Sequence, residues 1–342
     1  MTIKRDKTPT IKDIAAKAGV SIGTVSRVLN KKEIVSEKTR KKVEQVVKEL
    51  GYIPNEMARS LLRNKSKTIA LIMPDLSNPF YAELFQGVED IMSSEGYYVF
   101  VCDTSYKMEN EHRYIKEMIG RGVDGMIFLS LYYCGEEIFN LVNNNVAAVA
   151  VQTYSNNMGM DLVTTDVENP SMEAYGHLIK LGHKKIAYVC IDKTRSVSRI
   201  NPYLSALREA GIPLREEYII DGYSTDTLGY MATEKLLELH DPPTAIQFIN
   251  DYTALGAYNV IYNKGLRIPD DLSVIGYDDI KISKFLNPPL TTISQPIREM
   301  GRTAGEMLIK SINGDPNRIK REIRLPGKLI IRNSTASPKE SV

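Results

Sequence analysis

Apolar residues recur along the chain with two different periods. Up to about Leu50 the spacing is helical; from Thr68 onward short runs of branched aliphatic residues alternate with helical stretches. At the start, Ile11, Ile14, Ala15 and Ala18 lie on one helical face, Gly19-Val20-Ser21 interrupts, and Val25, Val28 and Leu29 resume the period. This predicts two short helices and a tight turn. Gly19 takes the positive φ that ends the first helix, Ser21 caps the second, and Thr24 and Ser26 face outward. Asn30 to Ile34 reads as a polar loop. Ser36-Glu37-Lys38-Thr39 then opens a third helix with Thr39, Val43, Val46, Val47 and Leu50 on one apolar stripe, ended by Gly51.

Pro54 cannot continue that helix, and Asn55 is placed to cap a short one ending near Arg63. Leu61 and Leu62 on it have no core of their own. They suit a partner helix from a second subunit or the groove of bent DNA, where an apolar wedge unstacks a base step. On spacing alone a passive tether fits as well.

Beyond Thr68 the runs TIALIMPDL, YVFVCDT, GMIFLSL, AAVAVQT, LVTTDV, KIAYVCID, AIQFIND and SVIGYDD predict strands, and stretches such as Tyr81 to Glu95 and Tyr252 to Lys264 predict helices between them. Alternation of this kind builds parallel sheets. The runs are too many for one sheet, so two doubly wound lobes are expected. Arg321 to Arg332, interrupted by Pro326 and Gly327, reads as two terminal strands, and Pro338 to Val342 as a frayed tail.

Charge sharpens the division. The 342 residues carry a net charge of +2, but Met1 to Lys67 holds 17 Lys and Arg against 7 Asp and Glu, which leaves the remainder acidic. A basic head on an acidic body suits a polyanion. The second helix exposes small polar groups and Arg27, a surface that fits the DNA major groove in the manner of a helix-turn-helix. An ordinary αα-hairpin within a larger core is the alternative. A membrane-surface patch is a poorer one, because no aromatic-rich amphipathic face accompanies the cations. MTIKRDKTPT has no apolar signal region and no run reaches about 18 apolar residues, so a cytoplasmic protein without membrane contact is expected. Cys102, Cys134 and Cys190 are widely spaced within apolar runs and read as buried free thiols. His112, His177, His183 and His240 show no metal-ligand spacing, and no cofactor is expected.

The chain resembles the lactose/galactose repressor family (LacI/GalR). The matching text is TIKDIAAKAGVSIGTVSRVLN, VSEKTRKKVEQVVKELGYIPNEMARSLL, NPFYAEL, LGHKKIAYV, Asn250-Asp251, IPDDLSVIGYDD and PPLTTISQP, spanning about Thr10 to Asn333. The resemblance implies an N-terminal all-α helix-turn-helix domain (1–54), a hinge helix and linker (55–66), and an α/β core (67–336) like periplasmic binding proteins. In that core two doubly wound parallel-sheet lobes cover about 67–165 with 294–325 and about 166–293 with 326–336, followed by a tail (337–342). It implies that Ile22, Gly23 and Arg27 lie where bases are read, with Thr10, Ser21, Thr24, Asn30, Tyr52, Asn55, Ala58 and Arg59 also on the DNA side and Leu61 as the minor-groove wedge. Gly23 cannot read a base through a side chain, and it lowers helix propensity by about 1 kcal/mol relative to alanine.

In open α/β sheets ligands sit outside the carboxyl ends of strands, where Asp75, Asn78, Asp103, Asp166, Asp192, Asn250-Asp251 and Asp278-Asp279 collect. Any one of these could instead cap a helix. The resemblance implies that Arg199 grips ligand hydroxyls with Asn250 and Asp278, that Asn169 lies near the mouth, and that Phe80 and Tyr81 stand on the first lobe's side. Arg, Asp and Asn together satisfy the donors and acceptors of a sugar. Two departures alter the pocket floor: Pro202 follows Arg199-Ile200-Asn201 where the family has glycine, and Ser224 stands where a stacking aromatic is common. Tyr154, Tyr203 and Tyr223 are candidate replacements. The expected protein is a homodimeric repressor of a pseudo-palindromic operator, controlled by a carbohydrate-like effector, or alternatively by a protein or phosphorylated corepressor. A solute-binding protein has no use for the basic head. An enzyme lacks visible machinery, since there is no GxGxxG, Walker loop or GxSxG.

Overall fold

The computed structural model describes residues 9–29, 35–53, 65–129, 146–152, 160–191, 197–222, 225–314 and 321–339. Asn30, Asn55, Ala58, Arg59, Leu61, Cys134, Tyr154, Asp192, Tyr223 and Ser224 lie outside them, as does the short helix expected up to Arg63. The chain divides into two compact units, Met1–Ser66 and Lys67–Val342.

The first unit contains α1 (Ile11–Ala18), α2 (Ile22–Leu29) and α3 (Glu37–Leu50). Thr10 and Asp13 form a capping box on α1, with the Thr10 amide donating to Asp13 Oδ2 at 2.8 Å. Gly19 has φ 64° and Gly51 φ 58°, the left-handed turns that glycine alone adopts without strain. Ile14, Ala15, Ala18, Val25, Val28, Val43 and Val46 form the buried core. Thr39 departs from the expected stripe. It is half-buried and its hydroxyl is bonded to the α3 cap residue Ser36 at 2.9 Å.

The second unit holds two six-stranded sheets. In the first, β1 (Thr68–Met73), β2 (Tyr98–Asp103), β3 (Gly125–Leu129), β4 (Ala147–Val151), β5 (Asp161–Thr165) and β11 (Glu322–Leu325) run in the order β11-β5-β4-β3-β1-β2, all parallel. In the second, β6 (Ile186–Cys190), β7 (Ile219–Asp221), β8 (Ala245–Phe248), β9 (Ser273–Asp278), β10 (Thr291–Ser294) and β12 (Lys328–Ile330) run β12-β10-β9-β8-β6-β7, with only β12 antiparallel. Helices α4 (Pro79–Ser94), α5 (Met108–Gly120), α6 (Glu168–Lys180), α7 (Val197–Glu209), α8 (Asp226–Leu237), α9 (Asp251–Asn263) and α10 (Ile297–Asn313) complete it.

Strand alternation sends side chains to opposite faces of each sheet. Ile69, Leu71 and Met73 of β1 join one core cluster, whereas Ala70 and Ile72 join the other. Both sheets are therefore covered on two sides. Cys102 and Cys190 are buried free thiols on different sheets, and burial pushes the Cys102 thiol up to about 11.

Each lobe is tightened by a helix pair that meets at glycine. A Cβ on Gly87 of α4 would collide with the Arg298 carbonyl of α10, and one on Gly301 with the Leu84 carbonyl. Gly229 of α8 and Gly256 of α9 are confined in the same way, against Thr253 and Asp226. Gly301→Ala should therefore lower the urea midpoint of the two-lobed unit by the equivalent of about 1–3 kcal/mol. Gly120→Ala, whose Cβ meets nothing within 4 Å, should not lower it. Identical midpoints for Gly301→Ala and the parent would contradict the close crossing.

Candidate functional site

Two polar constellations emerge, one in each unit. In the first unit Ser21, Ile22, Gly23, Thr24 and Arg27 occupy the cap and outer face of α2. The Ser21 hydroxyl accepts the Thr24 amide at 3.1 Å, and Ile22 and Arg27 are exposed, while Thr24 and Ser26 are half-buried rather than fully outward. Lys38, Lys41, Lys42 and Lys48 project from α3. Thr10 stands at the start of α1 with its hydroxyl donating to Asp13 Oδ2 at 2.7 Å, and Tyr52 packs against the head's core.

In the second unit the carboxyl ends of β9 and β8 converge on Arg199 of α7. Its Nη1 donates to the Ile249 carbonyl at 2.9 Å and its guanidinium lies 4.1 Å from the Tyr277 ring centroid, a cation–π contact. Asp278, adjacent on β9, is buried with φ 111°. Burial holds its carboxyl well above the usual range, and Arg199 opposes the shift. Asn250 is the N-cap of α9, and its Oδ1 accepts the Thr253 amide at 2.8 Å. That oxygen is already committed to the helix.

Sequence reasoning missed Gln295. Its Nε2 donates to Asp278 Oδ1 at 2.6 Å, while its Oε1 accepts from Thr165 Oγ1 at 2.7 Å and from Gln152 Nε2. Thr165 ends β5 and Gln152 follows β4 in the first lobe, so one buried amide joins both lobes to the aspartate. The three chain crossings run side by side here: the Asp166 amide donates to the Leu325 carbonyl at 2.9 Å, and a Cβ on Gly327 would lie 3.1 Å from the Asp166 carbonyl and 3.5 Å from that of Ser294. The only sequence signal for Gln295 was its position at the expected crossing, since glutamine has many uses.

Phe80 and Tyr81, in the first turn of α4, are buried and meet edge-to-face at 5.1 Å. They belong to an apolar cluster that includes Ile280, with Tyr252 packed against it, both from the second lobe. Ser77 Oγ lies 3.3 Å from the Tyr252 hydroxyl. Asn169 donates from its Nδ2 to Asp166 Oδ2 at 2.6 Å beside the first crossing. Tyr203 is not a stacking surface. Its ring lies in the lobe core between Tyr175 and Tyr188, and its hydroxyl donates to the Ile186 carbonyl at 3.0 Å. The α7 helix runs through Pro202.

Asp251 serves the scaffold. It accepts from the Ile280 amide at 3.0 Å, Ser283 Oγ at 2.6 Å and Thr292 Oγ1 at 2.5 Å, and only glycine at position 276 leaves room for it. Burial pushes its carboxyl up to about 7 against the pull of these donors. Because the folded value lies above the unfolded one, the group's stabilisation is complete below about pH 4 and is lost as pH rises to about 7. The urea midpoint of the parent should fall relative to that of Asp251→Asn across this window. Parallel profiles would mean that the carboxyl is ionised throughout.

Among the described residues no cluster of side chains could hold a metal ion, and no helix is long and apolar enough to cross a membrane. Residues 10–55 match a family described as bacterial regulatory proteins, lacI family, and residues 175–335 match a periplasmic binding protein-like domain. Catabolite control protein A of Priestia megaterium is 36% identical over 329 residues, covering 95% of this chain and 99% of that protein. A similar solved structure is the lac repressor dimer bound to operator and the anti-inducer ONPF, 30% identical with a TM-score of 0.84 over 96% of this chain and 100% of that one. A LacI family transcriptional regulator from Enterococcus faecium with bound ribose is 33% identical, with a TM-score of 0.72 over 80% of this chain and 100% of that one.

Proposed function

The chain belongs to the lacI family of bacterial regulatory proteins and is a DNA-binding transcriptional repressor, and from this premise we propose that a sugar or sugar derivative held between its lobes sets its grip on a pseudo-palindromic operator. The observation that carries this reading is the grouping of Arg199, Tyr277, Asp278 and Gln295 at the chain crossings. A guanidinium, a carboxyl and a carboxamide are donor and acceptor types that satisfy sugar hydroxyls. The ribose-bound relative supports the same ligand class.

In this reading Ser21, Ile22, Thr24 and Arg27 face the major groove, and Leu61 enters the minor groove. A second copy covers the apolar residues that the core leaves exposed: Tyr98, Phe100 and Val101 on the edge strand β2, and Ile282 and Phe285 after β9, the last 82% exposed. The lac repressor structure is likewise a dimer on its operator. Such a protein works beside DNA in the cytoplasm. A ligand that prefers one arrangement of the lobes shifts the operator equilibrium by its difference in affinity for the two arrangements.

Thermal melting against a panel of sugars and sugar acids tests the assignment. A ligand at about 100 times its dissociation constant adds about 2.7 kcal/mol to native stability. One member of the panel should raise the melting temperature of the parent and leave that of Arg199→Ala unmoved. A flat response of the folded parent to the whole panel would overturn the sugar reading.

A further inference from the structure

The outer face of α2 combines features that the head itself does not require. Ser21 and Thr24 hydroxyls are bonded to each other at 2.9 Å and so are engaged within the cap. Beside them Ile22 is 45% exposed; apart from Ile53, it is the one exposed large apolar side chain among the described residues of the head. Gly23 follows. Its φ is not in the left-handed region, and a Cβ there would meet only Ser21 Oγ at 3.7 Å, an ordinary contact. Neither backbone conformation nor space calls for glycine, yet glycine weakens a helix.

The position explains what the fold does not. Val25 and Val28 bury one side of α2. At about 100° per residue, Gly23 falls at the crest of the opposite side, with Ser26 and Arg27 next to it and Ile22 on the rim. Any side chain at the crest would be the first to meet a surface laid against the helix.

We propose that Gly23 lets α2 seat one side chain's depth closer to the floor of the major groove, and that Ile22 there reads the 5-methyl group of a thymine in each half-site. The inference rests on the DNA-reading role of α2 given above. The thymine methyl is the apolar group that a base pair shows in the major groove, so an aliphatic side chain selects it without a hydrogen bond. Arg27, four residues after Gly23 on the same crest, is placed to supply the polar contact next to it.

The full chain is used to enrich a duplex from a randomised pool, and each thymine of the enriched half-site is then replaced singly by deoxyuridine, which lacks only the methyl. At one position uracil should weaken binding of the parent about fourfold per half-site, the worth of one buried methyl group. Ile22→Ala should lose that penalty while still binding. Gly23→Ala should keep the helical circular-dichroism signal and bind the enriched duplex at least tenfold more weakly. An enriched duplex indifferent to uracil at every thymine would overturn the role of Ile22, and parent-like binding by Gly23→Ala would overturn the clearance. No enrichment of any duplex would sink the DNA-reading role of α2 along with both.

Discussion

The carboxamide of Gln295 is satisfied at both ends by groups from different lobes. Its oxygen is held by Thr165 and Gln152 and its nitrogen by Asp278. Burial makes this arrangement demanding, because a buried donor or acceptor left unpaired costs about 1–3 kcal/mol. Relative movement of the lobes must therefore preserve these bonds, exchange them together, or replace one of them with a ligand group. In the proposed function, Asp278 is the group through which a ligand enters the exchange. It is buried, raised in pKa by that burial, and adjacent to Tyr277, whose ring carries the Arg199 guanidinium.

The lobes are built to move as units if they move at all. Glycine-paired helices α4 with α10 and α8 with α9 leave little freedom within either lobe, since any slide would press backbone against backbone. Asp251 adds a second brace by tying the start of α9 to Ile280, Ser283 and Thr292. Arg332 adds a third: it binds Asp279 at 2.5 Å and the Leu290 carbonyl at 2.7 Å, anchoring the chain just past the last crossing to the strand end that carries Asp278. Adjustment is thus concentrated at the adjacent crossings near Asp166, Ser294 and Gly327.

Much of this was legible from local chemistry. Gly19, Gly51, Ser21 and Ser36 punctuate the head's helices where helix-ending and capping physics place them. The long aliphatic runs became strands of the two sheets. Strands β7 and β10 were not among those runs, since Ile219–Asp221 is three residues at a sheet edge and Thr291–Ser294 is mostly hydroxylated, so neither shows a period. Arg199 came from a resemblance and Asp278 from its place at a strand end as well as from the resemblance, whereas Gln295 depended on which residues meet at the crossings. Tyr203 misled for a related reason, because a tyrosine near a cleft residue in sequence reads alike whether it faces the cleft or the sheet.

If occupancy of the cleft and grip on DNA are linked, the linkage must be reciprocal. The most direct measurement titrates the effector into free protein and into protein saturated with operator, and titrates operator with and without effector. Coupling predicts that both pairs of dissociation constants change by one common factor, in the range of about 5–150-fold. Effector affinity that is the same with and without operator would contradict it.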